Sequence, residues 1–167
     1  TGKGIEALVV APTRELAKQI THVFQKYSQF HTVSVYGGVS IINQINGLKT
    51  ANIVVGTPGR LLDLMERREL YIDKIKYLVL DEADRMLDMG FIGDIEKIIR
   101  KSSKDKQMML FSATIPQEIV EISKKYMKNP VKIMIKEKVT SAKLEHKFYV
   151  ISFQEKFSLL VHLLQKE

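Results

Sequence analysis

The sequence predicts an α/β fold, a parallel sheet with helices on both faces. Three observations point there. Short apolar, β-rich runs alternate with helix-like segments along the chain, the pattern of β-α-β units. The runs are nearly continuous in apolar residues, as in strands buried on both sides. Five of them lead into a small, polar or Gly-rich element at the same end. Open parallel sheets bind ligands beyond that carboxyl end.

The elements follow in order. The run 5–10 (IEALVV) is the first strand, and a helix of about 14–28 follows. Thr13 is placed to cap that helix, with Glu15 in its first turn. The run 32–36 (TVSVY) ends in Gly37-Gly38 and precedes a helix at 40–49. The run 52–55 (NIVV) enters GTPGR (56–60), and Pro58 suits the start of a helix at 57–67. The run 76–80 (KYLVL) enters Asp81-Glu82-Ala83-Asp84, with a helix expected at 92–101 beyond Gly90. The run 107–111 (QMMLF) enters Ser112-Ala113-Thr114. The helix 116–128 follows, with Pro116 in its first turn and Ile119, Val120, Ser123 and Met127 on one face. A sixth strand is expected at 131–135 (VKIMI).

Composition narrows the chemistry. The 167 residues are enough for one domain with a sizeable core. Without cysteine, disulfides, thiol catalysis and zinc–thiolate sites are excluded. The four histidines (22, 31, 146, 162) have no ligand spacing, and the seven methionines read as packing filler. Tyr27, Phe30 and Tyr36 are expected to pack rather than stack on bases. No apolar run approaches the roughly 18 residues of a membrane span. No secretory signal opens the sequence, so a cytoplasmic location is expected. Residues 124–147 hold eight lysines against Glu137 and Glu145, and residues 148–167 balance to zero, which leaves +1 of the net +7 for residues 1–123. The basic pI is therefore poor support for a nucleic-acid partner. Any such contact has to come from a few placed residues.

The turns carry more information. Taken alone, Asp81, Glu82 and Asp84 read as acids favoured at a helix N-terminus, and Ser112-Ala113-Thr114 reads as an N-cap region before Pro116. Taken together, PTRELA (12–17), Gly37-Gly38, TPGR (57–60), DEAD (81–84) followed by RMLDMGF, and SAT (112–114) resemble the motifs of the DEAD-box RNA helicases, in that family's order. The resemblance spans about residues 5–135. It implies the first RecA-like domain of a P-loop NTPase fold, here incomplete at the N-terminus. The stretch KLEHKFYVISFQEKFSLLVHLL is similar to the family's inter-domain linker and the start of its second RecA-like domain. The expected division is 1–136 for the partial first domain, 137–147 for the linker, and 148–167 for the opening strand and helix of the second.

The resemblance implies roles. Asp81 would hold Mg²⁺, Glu82 would orient or deprotonate the water attacking the γ-phosphate of ATP, and Asp84 would bond Ser112 and Thr114 to couple the nucleotide site to RNA binding. Thr13, Arg14, Gly37, Gly38, Thr57, Gly59 and Arg60 would contact the RNA sugar–phosphate backbone. Helix N-termini and glycine turns suit phosphate, so little sequence preference is expected.

One motif is missing. The opening TGKGIEALVV lacks the GxxxxGK[ST] spacing of a phosphate-binding loop. The chain is therefore expected to be a fragment, inactive by itself, of an ATP-dependent RNA helicase. An ATP-independent RNA-binding or scaffold module is the alternative. A paired-carboxylate hydrolase leaves four of the motif turns unexplained. Phe157, Leu160, Val161 and Leu164 form one apolar face of a helix over 155–164, which suggests self-association.

Overall fold

Strands form at five of the six apolar runs. They are β1 (Ala7–Val10), β2 (Thr32–Val35), β3 (Ile53–Gly56), β4 (Tyr77–Leu80) and β5 (Gln107–Leu110). The computed structural model describes residues 4–135 and 147–166. The chain divides into two units, Thr1–Pro130 and Val131–Glu167.

In the first unit the strands make one parallel sheet, in the order β2-β3-β1-β4-β5. The helices are α1 (Arg14–Tyr27), α2 (Ile41–Leu48), α3 (Pro58–Glu66), α4 (Ala83–Asp88), α5 (Ile92–Lys101) and α6 (Gln117–Tyr126). Thr13 caps α1 as expected, its Oγ1 accepting from the Leu16 N–H at 3.2 Å. Side chains alternate across the sheet. Leu8, Val10, Val54, Leu78 and Leu80 join the larger core, which takes in Leu61 and Leu64 of α3, Met86 of α4, Ile95 and Ile98 of α5, and Ile119 and Ile122 of α6. Val9, Ile53 and Val55 face the other way and meet Ala17 of α1. Helices therefore cover both faces, as the apolar runs required.

Four local readings change. Tyr27 and Phe30, expected to pack, are exposed, and only Tyr36 packs on the core. The short helix α4 was foreseen only as the helix N-terminus that the acids at 81–84 suggest when taken alone. Residues 131–135 form no strand, and Val131, Ile133 and Ile135 are exposed. A strand exists only against a partner, and no described strand pairs with this one. The same holds for the strand expected just after 147, since residues 147–152 have no regular structure. The expected linker falls almost wholly on residues outside those described. In the second unit a 3-10 turn (Phe153–Glu155) leads into α7 (Lys156–Lys166). The N–H and hydroxyl of Ser152 both donate to Glu155 Oε2, at 3.0 and 2.7 Å. The α7 residues Phe157, Leu160 and Leu164 are exposed.

One charged cluster ties α5 to α6. Glu96 accepts from Lys125 Nζ at 2.7 Å, Tyr126 Oη at 2.9 Å and Arg100 Nη2 at 2.7 Å. Lys125, then Tyr126 and Arg100, hold its carboxyl down to about 2 from an ordinary 4.5. The unfolded chain regains the ordinary value, so the cluster's stabilisation is whole above pH 4.5 and is lost as pH falls towards 2. Glu96→Gln is expected to lower the urea midpoint at neutral pH and to flatten its decline through that window. An unchanged acid limb would remove Glu96 as a stabilising group.

Candidate functional site

The register lines up the strand ends. Val35, Gly56, Val10, Leu80 and Leu110 form one row across the sheet. The turns that follow therefore share one edge.

At the exit of β4 the chain bends sharply. Asp81 N–H donates to Val10 O at 3.0 Å, which keeps Asp81 in the sheet. Glu82 then takes the left-handed conformation, φ 48° and ψ 52°. For a residue with a side chain this costs about 1–3 kcal/mol and persists only where the surroundings enforce it. Ala83 N–H is held by Phe111 O at 3.0 Å, and α4 begins there. The bend sends the three acids to different surroundings.

Asp81 borders a hollow of about 350 Å³ formed by Val9, Ile20, Phe24, Val79 and Phe111. Burial pushes its carboxyl above its ordinary value, and the neighbouring Glu82 charge adds to this. The Glu82 N–H, donating to Asp81 Oδ1 at 3.0 Å, works against both. Glu82 is half-exposed, and its Oε2 accepts from Arg85 Nη1 at 3.1 Å.

Asp84 turns towards the exit of β5. Its Oδ2 accepts from both Thr114 N–H and Thr114 Oγ1 at 2.8 Å. Its own N–H donates to Ser112 Oγ at 3.1 Å, and the Ser112 hydroxyl donates to Thr114 O at 2.6 Å. Desolvation pushes the Asp84 carboxyl up, but these bonds and the Arg85 N–H outweigh it and hold it below its ordinary value. Ser112 and Thr114 therefore do not cap α6. Its N-cap is Pro116, which has no side-chain donor or acceptor to offer. The Asp84 contact with Ser112 and Thr114 is present as anticipated.

The other turns cluster at β1, β2 and β3. Arg14 starts α1, and its Nη1 would lie 3.4 Å from a Cβ placed on Gly38, so the guanidinium rests against that turn. Gly38 has φ +80°, which glycine adopts without strain. Gly37 has no such constraint, and a Cβ placed there would meet nothing within 4 Å. Arg60 Nη1 and Nη2 both donate to Val39 O at 3.4 Å, and its Nε lies 3.7 Å from Asp63 Oδ2. Thr57 is extended and makes no capping bond, Pro58 opens α3, and Gly59 is exposed.

Thus Thr13, Arg14, Gly37, Gly38, Thr57, Gly59 and Arg60 gather at one end of the edge, and Asp81, Glu82, Asp84, Ser112 and Thr114 at the other. Among the described residues no group of three or more His, Cys, Asp or Glu could hold a metal. Two residues were missed. Arg85 restrains Glu82, and only the i, i+3 spacing hinted at that. Gly56 was read as part of a turn, yet a Cβ there would lie 2.5 Å from Val35 O.

Residues 1–122 match the family described as DEAD/DEAH box helicase. The chain is 45% identical over 167 residues to the "Probable ATP-dependent RNA helicase" of Methanocaldococcus jannaschii, covering 98% of this chain and 45% of that protein. It is 47% identical over 165 residues to the ATP-dependent RNA helicase CshA of Listeria monocytogenes, covering 96% of this chain and 32% of that one. The crystal structure of a DEAD box protein from Methanococcus jannaschii superposes with a TM-score of 0.78 at 45% identity, over 97% of this chain and 45% of that one. The chain thus spans less than half the length of these relatives.

Proposed function

The chain belongs to the DEAD/DEAH box helicase family, and on that premise we propose that it serves as part of an ATP-dependent RNA helicase that couples ATP hydrolysis to RNA clamping and local unwinding. One observation carries the reading. Asp84 binds the β5 turn through Ser112 and Thr114, while its neighbours Asp81 and Glu82 are directed elsewhere.

Asp81 is the Mg²⁺ ligand, directly or through a water. A single carboxylate fits this ion, which keeps several waters and takes further oxygens from phosphates. When bound, Mg²⁺ neutralises charge on the transferring phosphoryl group. A cation there also reverses the upward push that burial gives Asp81. Glu82 orients the attacking water and accepts its proton. Asp84, Ser112 and Thr114 pass the state of the nucleotide site to the β5 turn.

Thr13, Arg14, Gly37, Gly38, Thr57, Gly59 and Arg60 receive the RNA backbone, with Arg60 bracing the Gly37–Gly38 turn through Val39 O. These groups suit phosphate and sugar rather than base edges. The 167 residues contain no GxxxxGK[ST] loop, so by themselves they neither hold ATP tightly nor hydrolyse it. That favours a second reading for these residues alone, an RNA-binding module without ATPase. The test is ATP hydrolysis by the full-length parent with and without RNA. RNA-stimulated turnover supports the helicase, and RNA binding without turnover supports the module.

No described helix is long and apolar enough to cross a membrane. A cytoplasmic location is part of the proposal, and cell fractionation checks it. The apolar face of α7, with Phe157, Leu160, Val161 and Leu164, is proposed to bury itself against a second copy of the chain. Light scattering is expected to show a dimer at high concentration that Leu160→Asp returns to monomer. A wild-type chain that stays monomeric would dispose of this pairing.

A further inference from the structure

The edge strand β2 carries a feature that the helicase reading does not use. In a parallel ladder, alternate residues turn their N–H and C=O towards the same neighbour. His31 O and Val35 O accept from Asn52 and Thr57 of the β3 segment, so Thr32, Ser34 and Tyr36 face outward. Two glutamines clamp the ends of that outward row. Gln25 Nε2 donates to Thr32 O at 3.2 Å, and Gln44 Nε2 donates to Tyr36 O at 3.0 Å. Between the clamps the main chain of Ser34 faces an open hollow of about 450 Å³. Gln44 is only 6% exposed, it lines the same hollow, and its Oε1 is buried with no hydrogen-bond partner among the described residues.

Charge decides what fits. Exposed sheet edges are ordinarily guarded by lysine, other charges or proline. From Ser28 to Leu48 this chain has no Asp, Glu, Lys, Arg or Pro, and the hollow is lined by none of them. Lys18 over the Tyr36 ring at 5.3 Å and Arg60 on Val39 O at 3.4 Å touch the Tyr36–Val39 end, but no cation lines the stretch beside Ser34, where a neutral main chain finds donors and acceptors. The clamps are four residues apart, about 13 Å at roughly 3.3 Å per residue, which admits about four residues of extended peptide. A second copy pairing β2 against β2 would set clamp against clamp, so a slimmer segment fits better.

We propose that the outer edge of β2 docks an uncharged, extended segment of a partner protein, which adds a strand beside Ser34 and pairs with its outward N–H and C=O. The test is NMR titration of the isotope-labelled chain with acetyl-Thr-Val-Thr-Val-Thr-amide. Saturable shifts are expected at the Ser34 amide and the Gln44 side-chain amide. Ser34→Pro removes the outward N–H and leaves the ladder to β3 intact, and binding should weaken about tenfold. Gln44→Met releases Tyr36 O and with it one end of the edge; it should weaken binding comparably, and decides the matter if the proline variant does not fold. Three results would overturn the proposal: no shifts at millimolar peptide, unchanged binding by Gln44→Met, or an oligouridylate that shifts the same amides and displaces the peptide. Shifts that grow with protein concentration alone would assign the edge to self-pairing and overturn it too.

Discussion

Glu82→Gln in the full-length parent is expected to lower kcat for RNA-stimulated ATP hydrolysis by about 10²–10⁴-fold, the usual contribution of a general base. The amide keeps the shape of the side chain and the left-handed backbone, so fold and RNA affinity should hold. What it removes is the group proposed to take the water's proton. It also breaks the contact with Arg85, which needs its own control. That pair is half-exposed, and such pairs are worth about 0–1 kcal/mol, so Arg85→Gln should keep turnover within a few-fold of the parent. Steady-state hydrolysis of the three proteins decides the matter. Near-normal turnover in Glu82→Gln would strip Glu82 of its role, and an equal loss in Arg85→Gln would reassign the effect to positioning.

Gly56→Ala is expected to be the most damaging single methyl in the chain itself. The added Cβ would lie 2.5 Å from Val35 O and 2.9 Å from Leu61 Cδ2. Val35 O is also the acceptor for Thr57 N–H at 2.9 Å, so it cannot retreat without opening the ladder that aligns β2 with β3. Overpacking of this kind costs about 1–3 kcal/mol, and the backbone obstacle puts it near the top of that range. The melting temperature should fall by roughly 5–10 °C. Gly93 supplies the contrast. It lies exposed in α5 with nothing near an added Cβ, and Gly93→Ala should stabilise by about 0.4–1 kcal/mol. Thermal melts of both variants test the pair, and equal effects would mean that the packing at Gly56 is not what limits the fold.

The contrast shows what sequence patterns reveal here and what they conceal. The strands of the sheet were legible because each is a short apolar run followed by a polar or glycine turn. The Asp84 link to Ser112 and Thr114 was legible only through the family resemblance, since residues 28 and 30 positions apart share no local pattern. The short helix α4 was hinted at only by the acids at its N-terminus, because it follows a left-handed residue, which no propensity for glutamate predicts. Leu70, Ile72 and Ile75 are buried although they lie between α3 and β4 in no regular element, and without periodicity nothing marks them as core. The run 131–135 reads as a strand because its residues suit one, but a strand is a property of a pair. The crowding at Gly56 is equally invisible, because it depends on where a carbonyl of another strand ends up.

The bridge at Asp84 has one more consequence, which concerns time. Thr114 is exposed, yet its N–H donates to a carboxylate held below its ordinary pKa. An amide in such a position should trade its hydrogen for deuterium far more slowly than its exposed neighbour Ala113, and only when the bridge lets go. The exchange rate at Thr114 is therefore a clock for the turn, counting its openings one by one in the resting chain, before any nucleotide or nucleic acid is added.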